Sequence, residues 1–127
     1  MTTDGGSEPT LLLVDDDETF RFVMARALRS RGYRVLEAAG YDEAVVILGG
    51  NSPRFAVVDL QMQGPSGLEL LRTIKELRPE TRVVVLSGNR SEDLQAEVMR
   101  LGGARYLTKP VDADELTAAL QADRDPD

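Results

Sequence analysis

The sequence predicts one α/β domain with a five-stranded parallel sheet, strand order 2-1-3-4-5, and helices on both faces. Short apolar runs alternate five times with longer amphipathic stretches, which is the pattern of repeated strand-helix units. Two of these runs, residues 55–58 and 83–86, are apolar at every position, as expected of central strands buried on both faces. The 127 residues leave room for a single core. Of the common doubly wound strand orders, this one suits five units best.

Turn and capping residues set the boundaries of the elements. Strands are predicted over residues 10–14, 33–38, 55–59, 82–87 and 104–108. Helices are predicted from the acidic turn at 15–18 to Gly32, over 42–48, over 67–77, from Ser91 to Gly102, and from Asp112 to about Gln121. Ser66 and Glu69 form the pattern of a capping box at the third helix. This flavodoxin-like (βα)5 domain is predicted over 10–122, with a flexible arm over 1–9 and a tail or linker start over 123–127.

The first helix is predicted to be amphipathic. Its apolar side is expected to carry Phe20, Val23, Met24, Ala27 and Leu28. Its solvent-exposed side is expected to carry Arg21, Arg26, Arg29 and Arg31. Asp17 is interpreted as an acid at the helix start, where the helix dipole favours negative charge.

Composition excludes several classes of function. The 15 Lys and Arg residues against 22 Asp and Glu residues give a net charge of -7, which disfavours direct binding to nucleic acid or to an anionic membrane. The chain contains no cysteine, so disulfides, thiol nucleophiles and thiolate metal sites are excluded. It contains no histidine, which excludes Ser-His catalysis and a phosphohistidine of its own. Residues 1–9 lack the apolar stretch of a signal peptide and no run is long enough to span a membrane, so a cytoplasmic location is expected.

Polar residues follow the apolar runs where four of the strands end. Asp15 and Asp16 follow strand 1, Asp59 ends strand 3, Ser87 ends strand 4 and Lys109 follows strand 5. In the predicted strand order these ends are neighbours along the carboxyl edge of the sheet, where open α/β sheets bind ligands. The sequence therefore predicts one polar site at this edge.

The residue types indicate a cation site that serves phosphoryl transfer. Three neighbouring carboxylates repel one another unless a cation joins them. Oxygen ligands favour Mg²⁺, Mn²⁺ or Ca²⁺, and a small carboxylate set that leaves room for water and phosphate oxygens suits Mg²⁺ best. Lys109 and the hydroxyl of Ser87 can each bind a phosphoryl oxygen. Asp59 is the candidate nucleophile, because an ionised carboxylate needs no base to activate it.

The chain resembles the receiver domains of bacterial two-component response regulators, also called CheY-like domains, over about residues 10–122. The resemblance is carried by Leu-Leu-Leu-Val-Asp15-Asp16, Val-Val-Asp59-Leu-Gln-Met, Leu86-Ser87-Gly88 and Tyr106-Leu-Thr-Lys109-Pro110. Within that family, the stretches 59–67 and 109–116 are most similar to the redox-responsive photosynthesis regulators.

The resemblance implies a regulatory phosphoacceptor that assists its own phosphorylation and dephosphorylation. A partner histidine kinase or histidine phosphotransfer protein would phosphorylate Asp59, with Mg²⁺ held by Asp15, Asp16, Asp59 and the backbone carbonyl of Gln61. Ser87 would then move toward the phosphate and Tyr106 inward, changing the surface of helix 4, strand 5 and helix 5. That surface would act on a downstream protein, on an effector domain outside this chain, or in a phosphorylation-dependent dimer.

The chain departs from the family pattern in the loop after strand 3. The proline that is common after the methionine is replaced by Gln63, with Pro65 two positions later. This change affects the loop and leaves the carboxylates in place. Gln61 and Asn89 occupy positions at which the family varies and adjusts the lifetime of the phosphate.

Two alternative functions remain at the level of sequence. The run Leu-Leu-Leu-Val-Asp15-Asp16-Asp17-Glu18-Thr19 also fits haloacid-dehalogenase-type phosphatases, with Asp15 as nucleophile and Asp17 as general acid. That interpretation leaves Asp59 without a role. A pseudo-receiver that binds proteins without taking phosphate is the second alternative, although this chain keeps the acids, the hydroxyl and the lysine that such proteins usually lose.

Overall fold

The fold alternates strands and helices along the chain. The computed structural model describes residues 8–64 and 66–122. Over these residues it contains β1 Thr10–Val14, α1 Glu18–Ser30, β2 Arg34–Ala38, α2 Tyr41–Gly50, β3 Phe55–Asp59, α3 Gly67–Leu77, β4 Arg82–Ser87, α4 Glu92–Arg100, β5 Arg105–Thr108 and α5 Ala113–Gln121. Most of the predicted arm, the predicted tail and Pro65 lie outside the described residues.

The five strands form one parallel sheet in the order β2-β1-β3-β4-β5, which confirms the predicted topology. Register aligns the carboxyl ends of the strands: Val14 lies beside Val58, and Asp59 lies beside Leu86. Ser87 at the end of β4 pairs with Thr108, the residue before Lys109. The residues that end the strands are therefore neighbours along one edge of the sheet.

Apolar residues fill the space on both faces of the sheet. Because side chains alternate across a strand, Leu11 and Leu13 pack on the face covered by α1 and α5, whereas Leu12 and Val14 pack on the opposite face with α2, α3 and α4. Every residue of β3 is buried, which confirms the prediction for the apolar run 55–58 and extends it to Asp59. This buried central strand, paired on both sides, presents Asp59 at its end.

Helix α2 is longer than predicted at both ends, and it includes Gly49 and Gly50. Glycine usually ends a helix, but here side chains from outside the last turn bind its carbonyls. The Arg78 guanidinium donates to the Leu48 carbonyl over 2.6 Å, and the Asn51 amide donates to the Ile47 carbonyl over 2.9 Å. These contacts extend the helix beyond the predicted stop.

Helix α1 differs from its prediction in which residues are buried. Val23 is 60% exposed, and Ala25 is buried beside Met24 and Leu28. Among residues 8–64 and 66–122, no helix has the length and the apolar character that crossing a membrane requires.

Candidate functional site

The candidate site lies at the carboxyl edge of the sheet, as predicted. Asp15 directly follows β1 and Asp59 is the last residue of β3, and their exposed fractions are 0% and 3%. Ser87, the last residue of β4, is also fully buried. Lys109 follows β5 and keeps 25% of its side chain exposed. The fold therefore brings residues from four strands together.

Asp15, Asp16 and Asp59, which we call the acidic cluster, can point toward one common position. One carboxylate oxygen from each residue lies within 4.8 Å of the other two. Backbone amides orient the carboxylates: Gln61 N–H donates to Asp59 Oδ1 over 3.1 Å, and Gln63 N–H donates to Asp16 Oδ2 over 3.0 Å. Three oxygen donors without nitrogen or sulfur suit a hard divalent cation.

Lys109 joins the two buried carboxylates. Its Nζ lies 3.1 Å from Asp15 Oδ2 and 3.5 Å from Asp59 Oδ2. Desolvation opposes the charged form, but the hydrogen bond to Asp15 and the charges of both carboxylates together hold the pKa of Lys109 above its ordinary value. The ammonium is therefore a fixed positive charge inside the site.

The carboxyl group of Asp59 is destabilised in its ionised form. Burial, followed by the charge of Asp15, raises the pKa of Asp59 to about 6 from an ordinary value of 3.8, although the Gln61 amide and Lys109 act in the opposite direction. A divalent cation at the acidic cluster would lower the free energy needed to ionise Asp59 in its buried position.

The side chain of Gln61 bridges the loops that follow β3 and β4. Its Nε2 donates to Ser87 Oγ over 3.0 Å, and its Oε1 accepts from Gly88 N–H over 2.7 Å. Asn89 N–H donates to the same Ser87 hydroxyl over 3.1 Å. The family resemblance implied a cation-binding role for the Gln61 carbonyl and a position that adjusts phosphate lifetime, but it predicted no contact for the side chain. Nothing in the local sequence pattern shows which loop a long polar side chain will reach.

Tyr106 lies on β5 beside this loop and is partly exposed. Its hydroxyl donates to the Asn89 carbonyl over 2.6 Å. Asn89 therefore links the tyrosine to the Ser87 hydroxyl, which connects two predicted switch residues through one loop position.

Asp17 and Arg21 both act in local structure. Asp17 caps α1, since its carboxylate accepts from Phe20 N–H over 3.0 Å. This agrees with its interpretation as an acid at the helix start. The assignment of Arg21 to the solvent-exposed side of α1 is wrong: its side chain is 15% exposed and Nη1 donates to the Asp15 carbonyl over 2.7 Å. Glu37 pairs with Arg21 at 3.2 Å, and this contact from β2 draws the arginine inward.

Comparison with known proteins identifies the family. A family model described as the response regulator receiver domain matches residues 11–121. The chain belongs to the response regulator receiver domain family. Receiver domains are regulatory parts of two-component systems, work with a histidine kinase partner, and bind a divalent metal through acidic residues.

An individual relative agrees with this family assignment. The chain is 38% identical over 115 residues to the photosynthetic apparatus regulatory protein RegA of Rhodovulum sulfidophilum, covering 91% of this chain and 63% of that protein. The chain thus spans less than two thirds of the length of this relative.

Solved structures extend the comparison to the fold. A response regulator from Burkholderia pseudomallei, solved with a phosphorylated aspartic acid, calcium ion and citrate, superimposes with a TM-score of 0.87 at 35% identity, covering 91% of this chain and 68% of that one. A CheY-like receiver domain from Methanospirillum hungatei gives 0.87 at 26% identity, covering 92% and 94%. The findings support a phosphoacceptor and neither the phosphatase nor the pseudo-receiver alternative.

Replacing Asp59 should stabilise the metal-free receiver domain. Its folded pKa, raised to about 6, lies above the ordinary 3.8 of an unfolded carboxyl, so ionisation costs folding free energy above about pH 6 and costs none below about pH 4. We expect Asp59→Asn in chelator at pH 7 to raise the free energy of unfolding by on the order of 2 kcal/mol. Urea denaturation at pH 7 and pH 4 measures this difference. Exposed Asp93→Asn serves as the control, and an Asp59→Asn gain that is absent at pH 7 or equally large at pH 4 would contradict the prediction.

Proposed function

We propose that this receiver domain accepts a phosphoryl group on Asp59 from the phosphohistidine of a partner histidine kinase or histidine phosphotransfer protein. The observation that carries the proposal is the position of Asp59. Its carboxylate is buried at the sheet edge, has an oxygen within 4.8 Å of oxygens from Asp15 and Asp16, and shares Lys109 with Asp15. Asp15, Asp16, Asp59 and the Gln61 backbone carbonyl would hold the cation, for which Mg²⁺ is the first candidate and Mn²⁺ the second.

The reaction replaces one bond to phosphorus with another. An Asp59 carboxylate oxygen attacks phosphorus while the P–N bond breaks, and the leaving imidazole nitrogen keeps the electron pair and takes up a proton. The ammonium of Lys109 pairs with a negatively charged phosphoryl oxygen. No protein base is required, because the nucleophile is already ionised. The bound cation would offset the repulsion between the entering phosphoryl group and the carboxylates.

Phosphorylation would change a loop that is already coupled to Tyr106. The phosphoryl group adds a charge of about -1.5 to -2 beside Ser87. The Ser87 hydroxyl accepts hydrogen bonds from Gln61 and Asn89, and the carbonyl of Asn89 accepts from the Tyr106 hydroxyl. A movement of Ser87 to donate to the phosphoryl group would therefore displace Asn89 and, through it, Tyr106. We infer that this coupling alters the surface of α4, β5 and α5.

The altered surface would act on a downstream protein, on an effector domain outside this chain, or in a phosphorylation-dependent dimer. The proposed receiver domain spans residues 10–122, and within the described residues its strands and helices run from Thr10 to Gln121. We propose that this phosphoryl transfer takes place in the cytoplasm. We expect protein partners rather than nucleic acid, because the net charge of -7 opposes binding to phosphate backbones.

Intact mass after incubation with acetyl phosphate and Mg²⁺ tests the proposed function. We expect one phosphoryl adduct on the wild-type chain and none on Asp59→Asn. Asp15→Asn should give a strongly reduced yield because cation binding is impaired, whereas Asp17→Asn should be phosphorylated like the wild type. An adduct that survives Asp59→Asn, or a wild-type chain that never gains one, would refute the proposal.

Lys109→Ala should separate phosphorylation from the conformational response. We expect the variant to fold, because Lys109 contacts Asp15 and Asp59 from a partly exposed position rather than from the core. We expect it to accept phosphate slowly, because it lacks the ammonium that pairs with a phosphoryl oxygen. Without the ammonium, the phosphoryl group lacks the partner that draws β5 toward it. Amide chemical shifts of α4 measured at equal phosphorylation should change in the wild type and stay near their unphosphorylated values in Lys109→Ala. Equal changes in both proteins would exclude this role for the lysine.

A further inference from the structure

Phe20 on α1 lies against the ammonium of Lys109. Nζ is 4.7 Å from the centroid of the Phe20 ring, within the range of a cation–π contact. The ring is partly buried and packs against the core cluster beneath α1 and α5. Core packing therefore fixes the ring that Lys109 contacts.

The ammonium of Lys109 contacts two kinds of group, charged carboxylates and an uncharged aromatic ring. Asp15 and Asp59 attract its ammonium with full charges at 3.1 and 3.5 Å. A divalent cation bound to the same carboxylates would weaken that attraction, since their charge would be shared with a stronger partner. The quadrupole of the Phe20 ring is independent of cation binding, so this contact would remain. The ring is thus suited to keep a long, flexible lysine beside Asp59 when the site is loaded.

We propose that Phe20 is a positioning residue for Lys109, holding the ammonium on its ring face beside Asp59 during phosphorylation. The inference rests on the proposed function of Asp59 and assigns a role to a residue of α1 whose side chain carries no polar atom. Phe20 touches neither the phosphoryl group nor the cation in this role. It acts through the lysine alone.

Plain core packing is the competing explanation for Phe20, and side-chain substitutions distinguish the two. Phe20→Leu keeps an apolar side chain but removes the ring, whereas Phe20→Tyr keeps the ring. Phe22 lies on the same helix with 59% of its surface exposed, so Phe22→Leu controls for the loss of an aromatic ring from α1.

The first test measures the initial rate of phosphorylation by acetyl phosphate at saturating Mg²⁺. We expect a rate about fivefold lower in Phe20→Leu, equivalent to about 1 kcal/mol, and rates within about twofold of the wild type in Phe20→Tyr and Phe22→Leu. In a Lys109→Ala background, Phe20→Leu should cause no further loss, because it acts through the lysine. An unchanged rate in Phe20→Leu, or the same fivefold loss in the Lys109→Ala background, would overturn the inference.

The second test does not depend on phosphorylation. The chain has two lysines, Lys75 and Lys109, so lysine-selective labelling gives two sets of side-chain NMR signals. The ε-methylene protons of Lys109 should show a ring-current shift with Mg²⁺ bound, lost in Phe20→Leu and retained in Phe20→Tyr, while Lys75 stays constant. A Lys109 signal that is the same in the wild type and Phe20→Leu would overturn the inference. A wild-type chain that takes no phosphate would instead refute the proposed function, and the two failures are therefore distinguishable.

Discussion

Mg²⁺ is expected to raise the thermal unfolding midpoint of this receiver domain. The acidic cluster places three carboxylate oxygens within 4.8 Å of one another, and burial with the neighbouring charge of Asp15 raises the pKa of Asp59 to about 6. A cation that binds the folded state but not the unfolded chain stabilises it by about 2.7 kcal/mol at a hundredfold excess over its dissociation constant. For a domain of this size, that corresponds to a shift of roughly 10 °C. A Mg²⁺ titration followed by differential scanning calorimetry measures it.

Charge removal at the cluster tests whether the stabilisation is specific. Asp15→Asn and Asp59→Asn should each lose most of the response to Mg²⁺, although Asp59→Asn starts from a higher midpoint in chelator. Asp93→Asn, at an exposed position in the first turn of α4, should respond like the wild type. A midpoint that ignores Mg²⁺, or rises equally in all four proteins, would argue against a cation site at the acidic cluster.

Gly67→Ala is expected to destabilise the domain and to disturb Asp59. Gly67 starts α3 where the helix meets the end of β3. A Cβ added there would lie 2.5 Å from the Asp59 carbonyl oxygen and 2.7 Å from Leu60 Cα, both backbone atoms that cannot rotate away. Overpacking of this kind costs about 1–3 kcal/mol. Urea denaturation should show that loss, together with weaker Mg²⁺ binding.

Gly49→Ala provides the matched control. Gly49 lies within α2, and among the described residues a Cβ there would meet no heavy atom within 4 Å. Alanine in that helical position should therefore stabilise the domain by about 0.5–1 kcal/mol. If Gly67→Ala proved as stable as the wild type and bound Mg²⁺ equally well, the close contact between α3 and Asp59 would have no energetic consequence.

The features that the sequence predicted well depend on patterns close together in the chain. The apolar run before Asp59 indicated a buried strand, and strand-helix alternation indicated a parallel sheet, so the edge that collects Asp15, Asp59, Ser87 and Lys109 followed from topology. Capping residues such as Ser66 placed the start of α3 correctly, because the side chain bonds the backbone three residues later.

The features that the sequence missed depend on long side chains that reach other elements. Arg78 extends α2 by binding the carbonyl of Leu48, and Glu37 draws Arg21 toward the Asp15 carbonyl. Gln61 reaches the Ser87 hydroxyl, and Lys109 lies over the Phe20 ring. Periodicity shows which side of an element faces the core, but it does not show which distant backbone group or ring a flexible side chain will contact.

Chemical trapping of the phosphorylated residue tests the central claim most directly. After incubation with acetyl phosphate and Mg²⁺ and removal of the reagent, hydroxylamine attacks the acyl carbon of an aspartyl phosphate, releases phosphate and leaves a stable hydroxamate. Tandem mass spectrometry of the peptides then locates the modified residue. The structure predicts a hydroxamate on Asp59 and unmodified Asp15 and Asp16. A hydroxamate on Asp15, or none on any aspartate of a chain that carries phosphate, would contradict the assignment of Asp59 as the phosphoacceptor.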